Sequence, residues 1–150
     1  MPKRAPPPFT PPADLEARPS SLGGLGVFAA RAFAEGELIE RAPVLLAPVE
    51  QAAACPALAP YAFMWSDTHV ALTLGFGSLY NHSYEPNAEY ADEAAPRGAA
   101  GRDAPPGHAG GGAKRFTALR DIAAGEEITV NYNGDPDDDG EVGFAVRGDG

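Results

Sequence analysis

Residues 79–89, LYNHSYEPNAE, set Asn81, His82 and Ser83 ahead of a Pro86-Asn87 turn, with Tyr80 and Tyr84 interleaved. Proline fixes its own φ and biases the residue before it away from helix, so the stretch reads as extended chain running into a bend. Ser83 beside His82 suggests a nucleophile with its base. Adjacent residues of an extended segment face opposite ways, however, which argues against a hydrolase. His82 with Glu85, His69 and His108 has no diagnostic ligand spacing, so no metal site is expected. The polar residues of this stretch need another purpose.

Composition narrows the choices. At 150 residues and 44% hydrophobic, the chain is long enough for one domain with its own core. Gly 18 and Pro 16 together exceed a fifth of the residues, which disfavours a helical bundle and favours a turn-rich, mainly β fold. The single cysteine, Cys55, makes neither an internal disulfide nor a zinc site alone. An intracellular, soluble protein of the cytoplasm or nucleus is expected, since no long apolar run or signal-peptide core is present. A formal charge of −10 argues against direct nucleic-acid binding and makes basic proteins or peptides the plausible partners.

Residues 1–14 hold six prolines and are expected to be disordered. Strand character follows at 15–18 and then over 26–47, broken at Glu35-Gly36. A short helical stretch is expected within 49–59. A strand pair at 61–66 and 70–74 turns through Asp67-Thr68-His69. Residues 91–113 are rich in Gly and Pro and read as a flexible insertion loop. Strands resume at 114–119 and 127–132, and an acidic tail, 136–150, carries the alternating Val142, Phe144 and Val146. No internal repeat is evident. The run Gly23-Gly24-Leu25-Gly26 lets a backbone approach a ligand, or simply makes a tight hairpin; the helix that a dinucleotide fold needs after it is missing.

Taken in order, three blocks resemble the SET domain of protein-lysine methyltransferases. They are SSLGGLGVFAARAFAEGELIE (20–40), LYNHSYEPNA (79–88) and ALRDIAAGEEITVNY (118–132). The second carries the Asn-His-Ser-x-x-Pro-Asn signature and the third the Asp-Ile-x-x-Gly-Glu-Glu-Ile run with its terminal Tyr. The resemblance covers residues 15–135 and is nearest to small viral and bacterial single-domain members, through Leu74-Gly75-Phe76-Gly77 and Tyr61-Ala62-Phe63. It implies a β-clip fold of short twisted sheets with a C-terminal pseudoknot and little helix. It also implies methyl transfer from S-adenosylmethionine to a lysine of a protein, with a histone tail the leading substrate; a noncatalytic peptide-binding module on the same fold is the alternative.

Residue by residue, the resemblance places Gly24, Leu25 and Gly26 against the cofactor, Asn81 at its methionine end and the His82 backbone at its adenine. Pro86 and Asn87 would set a turn against the closing strand, Glu127 would support the threaded segment, and Tyr132 would be the catalytic hydroxyl. Tyr61, Phe63, Trp65 and Tyr80 are candidate walls of the lysine channel, with Phe144 as its cover. The cysteine-rich zinc segment common in the family is absent from the sequence. Small viral relatives imply a homodimer, and they carry an aromatic where this chain has Leu25.

Overall fold

Buried and exposed residues alternate along most of the extended segments, the mark of strands with one face on a core. The computed structural model describes residues 9–94 and 112–142. Its strands are β1 (Leu15–Pro19), β2 (Leu25–Ala29), β3 (Leu38–Pro48), β4 (Ala62–Met64), β5 (His69–Thr73), β6 (Asn81–His82), β7 (Ala88–Glu93), β8 (Ala113–Ala118) and β9 (Glu127–Val130). Among the described residues, helix is confined to α1 (Val49–Ala53) and a 3-10 turn at Ala59–Tyr61. Pro48 precedes α1 and Pro60 falls in the 3-10 turn, so neither helical piece extends far.

The strands form two sheets, ordered β1-β2-β9-β6 and β4-β5-β3-β8-β7. In the first, β9 lies between β2 and β6, antiparallel to one and parallel to the other. This insertion of the last strand between two much earlier ones is the arrangement a C-terminal pseudoknot requires. Asn87 ties it down: its Nδ2 donates to the Glu127 carbonyl at 2.7 Å and its Oδ1 accepts from the Thr129 N–H at 2.9 Å. In the second sheet β3 pairs with β8 over its first half and with β5 over its second. Pro43 sits where the pairing changes hands, a position at which its missing N–H does least harm.

The core gathers Val27 and Ala29 of β2, Phe116 and Ala118 of β8, Ile128 and Val130 of β9, with Phe33, Ile39, Tyr80 and Ile122. Burying each large apolar side chain is worth roughly 1.5–3 kcal/mol. Two turns close over it, and they share a local pattern: Arg31-Ala-Phe33-Ala-Glu-Gly36-Glu37 and Arg120-Asp-Ile122-Ala-Ala-Gly125-Glu126. Phe33 and Ile122 exchange N–H···O bonds of 2.9 and 2.8 Å. In each turn the glutamate accepts from the N–H three residues earlier and pairs with the arginine, Arg31 with Glu37 at 2.8 Å and Arg120 with Glu126 at 2.7 Å. Gly36 and Gly125 take φ of 81° and 86°, which a side chain would strain.

Strand structure reaches into both ends of the expected insertion loop, residues 91–113. Ala91, Asp92 and Glu93 continue β7 opposite Arg115, Lys114 and Ala113 of β8. This polar edge strand lacks apolar alternation, and cross-strand ion pairs hold it instead, with Arg41 of β3 forking onto Glu93 at 2.6–3.1 Å. His108 and the rest of the insertion, the prolines before residue 9, and Phe144 and Val146 of the tail lie outside the described residues. No helix among the described residues is long and apolar enough to cross a membrane.

Candidate functional site

Two groups of residues meet at Tyr132. The first is built on β2, β6 and β9. A Cβ at Gly26 would lie 2.9 Å from Asn81 Nδ2 and 3.0 Å from both Glu127 Cδ and Ser20 Cβ, so glycine is the residue that fits. Asn81 Nδ2 donates to the Leu25 carbonyl and to Glu127 Oε2, each at 3.2 Å, and Ser20 Oγ donates to Glu127 Oε1. The result is a corner rich in acceptors: the Leu25 carbonyl, the Asn81 Oδ1 and the Glu127 carboxylate. Gly24, at φ 57°, turns the chain into β2, where the Ser20 N–H donates to the Gly24 carbonyl at 2.9 Å. The glycines therefore make the hairpin between β1 and β2, and Gly26 packs directly against the side chains of Ser20, Asn81 and Glu127.

His82 is buried, and its Nδ1 accepts the Tyr132 N–H at 3.0 Å, which in the neutral ring puts the proton on Nε2. Its imidazole lies 4.5 Å from the Tyr84 ring and 5.2 Å from the Tyr132 ring. A side chain so enclosed anchors the segment after β9. His69, by contrast, opens β5, where its Nδ1 meets Thr68 Oγ1 at 2.8 Å.

The second group lines a cleft of about 820 Å³ that includes Tyr61, Phe63, Tyr90, Asp92, Lys114 and Tyr132. The Phe63 ring meets Tyr90 edge-on at 5.0 Å and Tyr132 at 6.2 Å. Tyr132 Oη donates to the Tyr80 carbonyl at 2.5 Å, while Tyr90 Oη donates to the Tyr132 carbonyl at 3.1 Å. Burial pushes the Tyr132 phenol up to about 12, helped by Tyr90, Tyr61 and Glu127, so it stays protonated at neutral pH. Tyr90 is raised to about 12 as well, by burial first and then by Asp92.

Residues 24–133 match the SET domain family. The chain belongs to the SET domain family. A curated relative of Schizosaccharomyces pombe, the histone-lysine N-methyltransferase specific for H3 lysine-37, is 37% identical over 76 residues, 49% of this chain and 52% of the relative. The chain thus spans about half the length of the curated relative it matches. A crystal structure from Plasmodium falciparum, provisionally described as a histone methyltransferase, superposes with a TM-score of 0.63 at 28% identity, covering 79% of this chain and 96% of that one.

Within this SET domain, Tyr61, Phe63 and Tyr132 come together in the cleft, and Gly26, Leu25 and Asn81 come together in a separate cluster on β2 and β6. Trp65 stands further back, its ring 5.8 Å from Lys114 Nζ. Tyr80 departs from its expected place as a channel wall. Its ring is 1% exposed, stacks on Phe116 at 4.3 Å and donates its hydroxyl to buried Glu40 at 2.8 Å, so it belongs to the core and offers Tyr132 only its carbonyl. Phe144, the expected cover, lies outside the described residues; Glu141 and Val142 line the cleft on the tail side. Two lining residues, Lys114 and Asp92, escape a sequence reading, because charged side chains on a polar strand look like a solvated face.

Proposed function

We propose that this SET domain transfers methyl groups from S-adenosylmethionine to a lysine side chain of a basic protein, with a histone tail the leading substrate class. The observation that carries the proposal is Tyr132, fixed at its N–H by His82 and at its hydroxyl by Tyr80, standing between an acceptor-rich corner and an aromatic cleft. Family membership and the names of the two relatives support it.

The residues present fit the cofactor. An amino-acid end carrying an ammonium suits the Leu25 carbonyl, Asn81 Oδ1 and the Glu127 carboxylate, and the bare Gly26 leaves room beside them. Gly24 and the His82 backbone would complete the cradle. When bound, S-adenosylmethionine supplies an electrophilic methyl on a sulfonium sulfur.

The chain's own task is to deliver a neutral amine. A lysine of ordinary pKa near 10.4 costs roughly 4.6 kcal/mol to deprotonate at pH 7. The cleft lowers that cost by desolvation, since Tyr61, Phe63 and Tyr90 replace water around the ammonium. Tyr132 is too weak an acid to serve as base at neutral pH. Its proton is given to the Tyr80 carbonyl, so its lone pairs accept an N–H of the amine and orient the nitrogen lone pair. Holding the reacting atoms about 3 Å apart and in line then supplies much of the acceleration.

Isothermal titration with S-adenosylmethionine, followed by incubation with labelled cofactor and a panel of histones and ribosomal proteins read by mass spectrometry, tests the reading. Binding in the micromolar range and a labelled lysine are expected. A folded sample that binds no cofactor overturns it.

A further inference from the structure

Lys114 is the least expected residue in the cleft. It lies on β8 with its side chain 1% exposed, opposite Asp92 of β7 and Ala42 of β3, whose small side chain leaves room for the lysine stem. The ammonium sits 4.6 Å from the Tyr90 ring centroid and 4.7 Å from that of Phe63, and Nζ donates to Asp92 Oδ1 at 2.6 Å. Enclosing an ammonium costs several kcal/mol that an apolar residue of similar volume would not, so the charge calls for a purpose beyond packing.

The purpose follows from the unequal exposure of the pair. Asp92 is 40% exposed at the side chain, whereas Lys114 is 1% exposed with its ammonium against the Phe63 and Tyr90 rings, so of the two lining residues the carboxylate is the more open. Among the described residues, Oδ1 takes the lysine bond and Oδ2 takes none. A cation arriving from the cleft meets the carboxylate first and the ammonium at longer range, which leaves a net attraction. Glu141, the other acid lining the cleft, adds to it.

We propose that Asp92, positioned by Lys114, forms a subsite for a cationic side chain adjacent to the target lysine of the protein substrate. The inference rests on the proposed methyl transfer, because it presumes that a target lysine enters the same cleft. It adds a rule of selection: among otherwise equal lysines, those flanked by arginine or lysine are preferred. Asp92 is the contacting group, and Lys114 is a positioning residue that acts through it.

The test uses binding, so that turnover is not needed. Two fluorescent peptides, identical except for arginine or citrulline beside the target lysine, are titrated into the full chain with S-adenosylhomocysteine present. The wild type is expected to bind the arginine peptide about fivefold tighter. Asp92→Asn alone strands the buried ammonium and threatens folding, so the decisive variant is the double D92N/K114M, which leaves the formal charge of the chain unchanged. There the ratio of the two affinities falls to near one, with circular dichroism confirming the fold. A wild-type ratio near one, or a ratio unchanged in the folded double variant, overturns the subsite. If the wild type binds S-adenosylhomocysteine but neither peptide, the substrate reading beneath it fails instead, and the subsite with it.

Discussion

Replacing Asn87 with alanine should loosen the last strand at a calculable cost. Asn87 is 3% exposed, and its side chain makes two bonds to the backbone of β9, one to the Glu127 carbonyl and one from the Thr129 N–H. Alanine removes both partners and brings no water with it. A buried backbone group left unsatisfied costs about 1–3 kcal/mol, so the two together cost about 4 kcal/mol. That is a large share of the 5–15 kcal/mol that holds a typical domain together. Urea unfolding followed by Trp65 fluorescence, extrapolated linearly to water, measures it. A loss below about 1 kcal/mol at unchanged slope would refute the reasoning, because the strand would then be held by its sheet neighbours alone.

Tyr132→Phe keeps the ring against Phe63 and His82 but removes the hydroxyl; turnover should fall at least about 100-fold while cofactor affinity stays within about threefold, and equal loss of both would mark a structural role. Gly26→Ala puts a Cβ 2.9 Å from Asn81 Nδ2, so cofactor affinity by calorimetry should drop more than about tenfold in a folded protein. Glu40 is held above its ordinary 4.5 by burial, against the bonds from the Phe76 N–H and Tyr80. A carboxyl raised in the folded state binds its proton more tightly there than in the unfolded chain, so its contribution is full below about 4.5 and declines as pH rises toward the folded value. Glu40→Gln lacks that slope, so wild type should lose stability relative to the variant as pH increases from 4 to 7; a constant difference would show that Glu40 does not titrate in this range.

Several positions that shape the fold and the candidate site are legible because backbone needs leave fixed letters there. Gly26 admits no Cβ, Asn87 must present a donor and an acceptor together, and Gly125 needs positive φ. Each demand admits few residue types and so shows in the sequence, even where, as at Gly26 and Asn87, the partners lie on distant strands. What sequence reading lost depends on pairing across distance. Tyr80 lies beside the Asn-His-Ser signature, yet Glu40, forty residues earlier, draws its hydroxyl inward and fixes the ring in the core. Residues 91–93 look like loop until Arg41 and the β8 register make them strand. Lys114 and Asp92 look like surface until Phe63 and Tyr90 are seen to close over them. The repeated turns differ at Phe33 and Ile122, and it is the exchange of bonds between those two residues that makes the likeness plain.

The placement of β9 between β2 and β6 also governs the order of assembly. Contacts between such distant segments must wait for the chain to close long loops, which makes folding slow compared with a protein of local contacts. The first sheet has a vacant lane until residues 127–130 arrive. Tyr132 follows that strand directly, and its N–H reaches His82 only once the strand is seated. A chain stalled before this step has its second sheet to form but no oriented hydroxyl. Recovery of the proposed methyl transfer during refolding would therefore run in step with the slowest structural phase, making activity a clock for the closing of the knot.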